Sequence, residues 1–216
     1  MTIYFVRHGE GHHNANNLYS LPEFELTEKG KGEAKAAGGR LKNLPIELLI
    51  VSSYKRTQQT AEIINAEIGG KPVILSDLPV EVKRPSEIAG KRMDMPENKQ
   101  IRKLMDDNLH DPNWRYSDEE NFFDLKKRAG EFLRHLEGYR EEHIGVISHS
   151  VFIKMAGLLI MVGDELTPSM FNRSYKGMQL ATSGLTICEF KDGLWSMVTW
   201  NDQAHLADSH INFRGE

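Results

Sequence analysis

Residues 47–68, ELLIVSSYKRTQQTAEIINAEI, pass from a short aliphatic run into a helical stretch with only a few polar residues between them. ELLIV reads as a strand buried on both faces, because it is continuously apolar after Glu47. RTQQTAEIINAEI reads as helix and runs into Gly69-Gly70, a pair suited to closing it. A strand followed at once by a helix is the repeating unit of parallel sheets.

The same unit recurs twice. TIYFV at 2–6 runs into Arg7-His8 and is followed by LTEKGKGEAKAAGGRL, with a helix start at Thr27-Glu28 and a weak point at Gly38-Gly39. IGVIS at 144–148 runs into His149 and the apolar VFIKMAGLLIMV, which stops at Gly163. PVILSD at 72–77 reads as a fourth strand, and LTICEF and LWSMVTW flank Asp192-Gly193 as a β-hairpin. In NFFDLKKRAGEFLRHLEGY, Phe122, Leu125, Ala129, Phe132, Leu133 and Leu136 recur at helical spacing. The expected fold class is α/β: three layers, α/β/α, around a mostly parallel central sheet. One domain is expected over 1–216, with an inserted cap region at about 81–124, where the β-α rhythm lapses.

Composition narrows the function classes. The chain has 216 residues, 39% hydrophobic and 27% charged, ordinary for a globular protein with a substantial core. A net charge of −4 gives no reason to expect nucleic acid or an anionic membrane as partner. A single cysteine, Cys188, suits a reducing compartment. TIYFV is too short for a signal-peptide core, and MAGLLIMV at 155–162 falls far short of the ~20 residues that span a bilayer. A soluble, cytoplasmic protein is expected.

In doubly wound sheets, ligands bind beyond the carboxyl ends of the strands. Arg7, His8, Arg56 and His149 all fall there. Arginine's planar fork matches phosphate oxygens, and Arg56 lies in the first turn of its helix, where free N–H groups already favour an anion. Asn14 could add a side-chain N–H from the following loop. The pattern reads as an anion pocket, with phosphate as the anion. A neutral imidazole is a good nucleophile toward phosphorus, and nearby arginines favour the neutral form. His8 could therefore attack in line, while His149 stabilises the charged transition state. The leaving oxygen needs a proton donor, and Glu81 and Glu87 are the candidates on the segment entering the cap.

These residues resemble a known family. RHGE with an asparagine shortly after, then LTEKGKGEAKAAG, VSSYKRTQQTAEII, VISHS and a closing WNDQAHL, are similar in kind and order to the histidine phosphatase superfamily, the phosphoglycerate-mutase-like proteins. The resemblance spans almost the whole chain and is weakest from about 87 to 121. It implies that His8 is the phosphorylated nucleophile, that Arg7, Arg56, His149 and Asn14 bind the phosphate, and that Glu81, rather than Glu87, is the general acid. It also implies a small phosphorylated metabolite as partner and no metal or organic cofactor.

Within that family, cofactor-dependent mutases carry a Gly-Trp in the loop after the asparagine and paired arginines later. Here the loop is NANNLYSLPEFELTEKG, and WRYSDEEN offers Arg115 alone. Hydrolysis of a phosphomonoester is therefore expected over phosphoglycerate mutase-type transfer or a binding module without turnover. The basic first half of the cap, with Lys83 and Arg84, suggests a substrate with a second anionic group. His12 and His13 read as a substrate-facing or exposed loop, since Gly9 and Gly11 argue against a helix and no zinc-like ligand set accompanies them. Ser52 and Ser53 read as capping or loop residues, and His110, His135, His143, His205 and His210 as surface or structural residues.

Overall fold

The computed structural model describes residues 1–206. Its elements begin β1 (Thr2–Arg7), α1 (His12–Asn16), α2 (Glu28–Leu41), β2 (Leu48–Ser52), α3 (Lys55–Glu67) and β3 (Val73–Ser76). They continue with α4 (Pro96–Asp107), α5 (Phe122–Leu136), β4 (His143–Ser148), α6 (Ser150–Val162), α7 (Pro168–Gly177), β5 (Leu185–Lys191) and β6 (Leu194–Asp202).

The strands form one sheet in the order β3-β2-β4-β1-β5-β6. The first four are parallel, and the hairpin of β5 and β6 adds an antiparallel edge. The sheet is mostly parallel, as the alternation of strands and helices implies. Its hairpin turns at Asp192 and Gly193, both at positive φ (53° and 78°), the left-handed pair that matches strand twist.

Continuous apolar runs are explained by burial on both faces. Ile3, Phe5, Leu48, Ile50, Ile144 and Val146 pack with α5 and α6, where Phe132 meets Phe152 edge-on at 5.5 Å. Tyr4, Val6, Leu49, Val51 and Ile147 face the other way, toward α2 and α3. Each fully buried aliphatic or aromatic side chain contributes roughly 1.5–3 kcal/mol from burial.

The helices start where local chemistry directs. Thr27 accepts the Gly30 N–H at 3.0 Å to cap α2. Asn121 caps α5 by accepting from Phe123 and Asp124, and Asp124 returns the bond to the Asn121 N–H. All six α5 positions picked out by spacing are buried. Gly38, a weak point on propensity alone, is a contact: a Cβ there would lie 2.8 Å from the Cβ of Glu67 on α3.

Three elements depart from the sequence reading, among them α4, a helix inside the cap region where none was expected. His12–Asn16 is helical, with Gly11 as its N-cap, so the glycines precede the helix rather than prevent it. Helix α7 has no sequence signal of its own beyond Thr167 and Pro168 at its start, because Phe171 is its one buried residue. His210 lies outside the described residues. Among the described residues, no helix is long and apolar enough to cross a membrane.

Candidate active site

Sheet register assembles the site. Arg7 pairs with Ser148 across β1 and β4, and the His8 N–H donates to the Ser148 carbonyl at 3.0 Å. On the other side of β4, Val51 pairs with Ile147. The carboxyl ends of β1, β4 and β2 therefore bring Arg7-His8, His149 and Ser52 side by side. All four side chains, and that of Arg56, are fully buried.

Burying an arginine demands partners for its five N–H groups. Arg7 donates Nη1 to the Leu180 carbonyl at 2.6 Å. Its Nε and Nη2 make no hydrogen bond among the described residues, which leaves a two-donor edge shaped for an oxyanion. Arg56, in the first turn of α3, donates Nη1 to the Leu21 carbonyl and Nη2 to His149 Nδ1, both at 2.9 Å. Its guanidinium lies 5.0 Å from the centre of the Tyr54 ring.

Both histidine tautomers follow from their partners. His8 Nδ1 is 2.7 Å from the Gly9 carbonyl, which can only accept, so Nδ1 carries a proton and, in the neutral ring, the lone pair is on Nε2. Arginine can only donate, so His149 Nδ1 is the acceptor, and the neutral ring's Nε2–H faces Ser52 Oγ at 2.7 Å. The two rings meet edge-on, 5.2 Å apart.

The loop after His8 is held from two directions. The Gly9 N–H donates to Thr60 Oγ1 at 3.1 Å, while that hydroxyl donates to the Arg56 carbonyl at 2.8 Å. Thr60 thus ties the His8 loop to the helix carrying Arg56. The Glu10 N–H donates to the buried Glu33 at 2.8 Å. Burial pushes the Glu33 carboxyl above its usual range. Gly9 does permit a close backbone approach, but the neighbour is the Gly30 carbonyl of α2.

Asn14 lies in α1 with its Oδ1 accepting the Gly11 N–H at 3.0 Å, which orients the carboxamide. His13, expected in an exposed or substrate-facing loop, is buried instead, its ring stacked on Phe24 and 5.5 Å from His8. Only its neighbour His12 is exposed. The turn of helix rotates the two histidines to opposite sides.

Glu81 is buried, with Oε1 accepting the Val82 N–H at 2.9 Å and Oε2 accepting the Val151 N–H at 3.3 Å. Val151 is in the first turn of α6, two residues beyond His149, so Glu81 joins the cluster at a helix N-terminus. Arg128 steadies the segment by donating to the Leu78 and Val80 carbonyls at 2.6 and 2.9 Å. Glu87 is exposed and takes a hydrogen bond from Ser117. Glu81 and Tyr54 line a cleft of about 490 Å³ that opens beside the cluster. Burial is the first cause raising the Tyr54 pKa, with Glu81 adding to it, so the phenol keeps its proton.

Ser52, Thr60 and Tyr54 were not marked as site residues by the sequence. Ser52 ends β2 rather than capping a helix, and Thr60 is four residues after Arg56, one turn along the same face. That spacing was the available signal. Among the described residues, no group of three or more His, Cys, Asp or Glu is arranged to hold a metal ion.

Comparison with known proteins follows the same outline. Over 89 residues the chain is 36% identical to 2,3-bisphosphoglycerate-dependent phosphoglycerate mutase 2 of Arabidopsis thaliana, a match covering 40% of this chain and 27% of that protein. The chain thus spans about a quarter of that relative's length. The fold superposes on Bacillus stearothermophilus YhfR with a TM-score of 0.80 at 23% identity, over 95% of this chain and 99% of the other. It superposes on a phosphoserine phosphatase mutant of Entamoeba histolytica, crystallised with phosphoserine, with a TM-score of 0.77 at 22% identity and the same coverage. At these identities the likeness is one of fold. Residues 3–203 match the family model of the histidine phosphatase superfamily (branch 1), and the chain belongs to that superfamily.

Proposed function

We propose that the protein is a phosphatase that hydrolyses a small phosphomonoester through a phosphohistidine on His8. The observation that carries this reading is the pairing of His8, whose Nδ1–H is held by the Gly9 carbonyl, with the open Nε and Nη2 edge of Arg7. The first puts the lone pair on Nε2, and the second offers a site for the phosphate it attacks.

In the first step, His8 Nε2 forms a bond to phosphorus as the ester P–O bond breaks. Arg7 and Arg56 hold the phosphoryl oxygens, with Asn14 adding a contact from α1 and His149 stabilising the spread charge. Glu81, in its acid form, protonates the departing oxygen and releases the alcohol. In the second step, the Glu81 carboxylate takes a proton from water, whose oxygen attacks phosphorus and displaces His8. Inorganic phosphate leaves, and His8 and Glu81 return to their starting states. Every group is supplied by the chain, so no metal or organic cofactor enters the proposed reaction. Residues 81–124 act as the cap over this cleft.

A mutase is the second reading, favoured by the similarity to phosphoglycerate mutases. Arg115, the single arginine of WRYSDEEN, pairs with Asp124, which favours hydrolysis instead. The test is phosphate release from a panel of phosphomonoesters, including 3-phosphoglycerate, with EDTA present. Wild type should release phosphate and His8→Ala should not. Isomerisation of phosphoglycerate without release would select the mutase, and binding without turnover would select a binding module.

A further inference from the structure

The cleft lined by Glu81 shares Val82, Arg84 and Glu120 with a smaller cavity of about 70 Å³. The other cations around the shared mouth already have carboxylate partners. Arg128 closes on Glu120 through two hydrogen bonds of 2.7 Å. Lys83 Nζ lies 3.0 Å from Asp118 Oδ2, while Asp118 Oδ1 takes the Ser86 N–H at 2.9 Å. That N–H first, and Lys83 second, hold the Asp118 carboxyl far below its ordinary range, so the pair stays ionised. In the smaller cavity Arg102 is matched by Asp106 at 3.2 Å, and the buried Glu119 carboxylate is occupied by the Tyr116 and Ser117 N–H groups at 2.7 and 2.9 Å.

Arg84 is the cation left over. It is half-buried, lines both cavities, and makes no hydrogen bond or ion pair among the described residues. Apolar surface from Leu21, Val82 and Ala89 flanks it in the cleft, which lowers the local dielectric and strengthens its pull on an anion. A guanidinium in that setting is matched by a planar carboxylate or a phosphate.

We propose that Arg84 is a second anion subsite, taking a carboxylate or second phosphate on the alcohol part of the substrate while Arg7 and Arg56 hold the phosphate that is cleaved. This rests on the phosphatase reading and narrows it to doubly anionic phosphomonoesters. Lys83, adjacent in sequence, is excluded from the subsite because Asp118 already neutralises it.

The test compares wild type, Arg84→Gln, Arg84→Lys and Lys83→Gln on glycerol 3-phosphate, 3-phosphoglycerate and propane-1,3-diol bisphosphate. Arg84→Gln should raise KM for one or both doubly anionic esters by about 10–100-fold relative to glycerol 3-phosphate, the range of a lost charge-assisted bond. Arg84→Lys should recover part of it, and Lys83→Gln should move the ratio by less than about 3-fold. A selective rise with 3-phosphoglycerate alone assigns a carboxylate, and one with the bisphosphate alone assigns a phosphate. A uniform change, no change, or a larger effect from Lys83→Gln overturns the subsite and leaves the phosphatase reading intact. Wild type that consumes none of the esters overturns the phosphatase reading, and the subsite falls with it.

Discussion

Arg56 Nη2 donates to His149 Nδ1 at 2.9 Å, and this single contact selects the tautomer of a histidine 93 positions away in sequence. It also places the Arg56 guanidinium between the Leu21 carbonyl and the ring. Lysine would keep the charge but has no planar fork to serve both partners and a phosphate. Arg56→Lys should therefore lower kcat/KM by about 10²–10³-fold, the scale of losing a preorganised transition-state donor. Steady-state kinetics, with circular dichroism to verify folding, check this. Near-normal activity in a folded Arg56→Lys protein would remove Arg56 from the proposed machinery.

The general acid is identified by its leaving group. Glu81→Gln should slow hydrolysis of an alkyl phosphate by about 10²–10⁴-fold and affect a nitrophenyl ester far less, because nitrophenolate departs without a proton. Glu87, exposed and bonded to Ser117, should tolerate Gln without that signature. The reverse pattern would transfer the role to Glu87.

Glu33 supplies a pH dependence to stability. Burial raises its folded pKa above the ordinary 4.5, so between those two values the native state binds more protons than the unfolded state. Stability from this group is present below about 4.5 and is lost as pH rises through the folded pKa. Glu33→Gln cannot ionise and still offers an oxygen to the Glu10 N–H. Its Tm relative to wild type should become more favourable from pH 4 toward pH 7, as thermal melts would record. A constant difference across that range would show that Glu33 does not titrate as described.

Adjacent glycines in α2 should respond oppositely to alanine. At Gly38 a new methyl meets Glu67 Cβ at 2.8 Å and Ile64 Cα at 3.3 Å, so Gly38→Ala should destabilise by about 1–3 kcal/mol. At Gly39 nothing lies within 4 Å, and Gly39→Ala should stabilise by about 0.5–1 kcal/mol through helix propensity. Urea denaturation measures both. Effects of the same sign would contradict the packing of α2 on α3.

Cys188 should be silent in the native state. It is fully buried, and burial pushes its thiol up to about 12, so almost no thiolate forms near neutral pH. A disulfide reagent should label it only after unfolding in denaturant. Stoichiometric labelling of the folded protein within minutes would contradict its burial.

Some of this was written along the chain. Short apolar runs ending in Arg7-His8, Ser52 and His149 announced strands buried on both faces, because period and length survive in one dimension. The helical spacing from Phe122 to Leu136 and the Asp192-Gly193 turn are equally local. His13 was not legible, because burial depends on which way one turn of helix points and on Phe24 arriving from another loop. Nor was α7, whose lone buried Phe171 gives no period.

By itself, then, the sequence determined the α/β rhythm, the strand ends carrying arginine and histidine, and the family to which the chain belongs. The tertiary structure decided what each of those residues faces. Strand register set Ser148 beside Arg7, and the packing of α3 and α6 on opposite faces of the sheet brought Arg56 to His149. The folding of the 78–82 segment onto the α6 N-terminus buried Glu81 while Glu87 stayed outside. The physical reason is that hydrogen-bond partners, tautomers and charge neutralisation depend on contacts between residues tens of positions apart, and no local pattern encodes those distances.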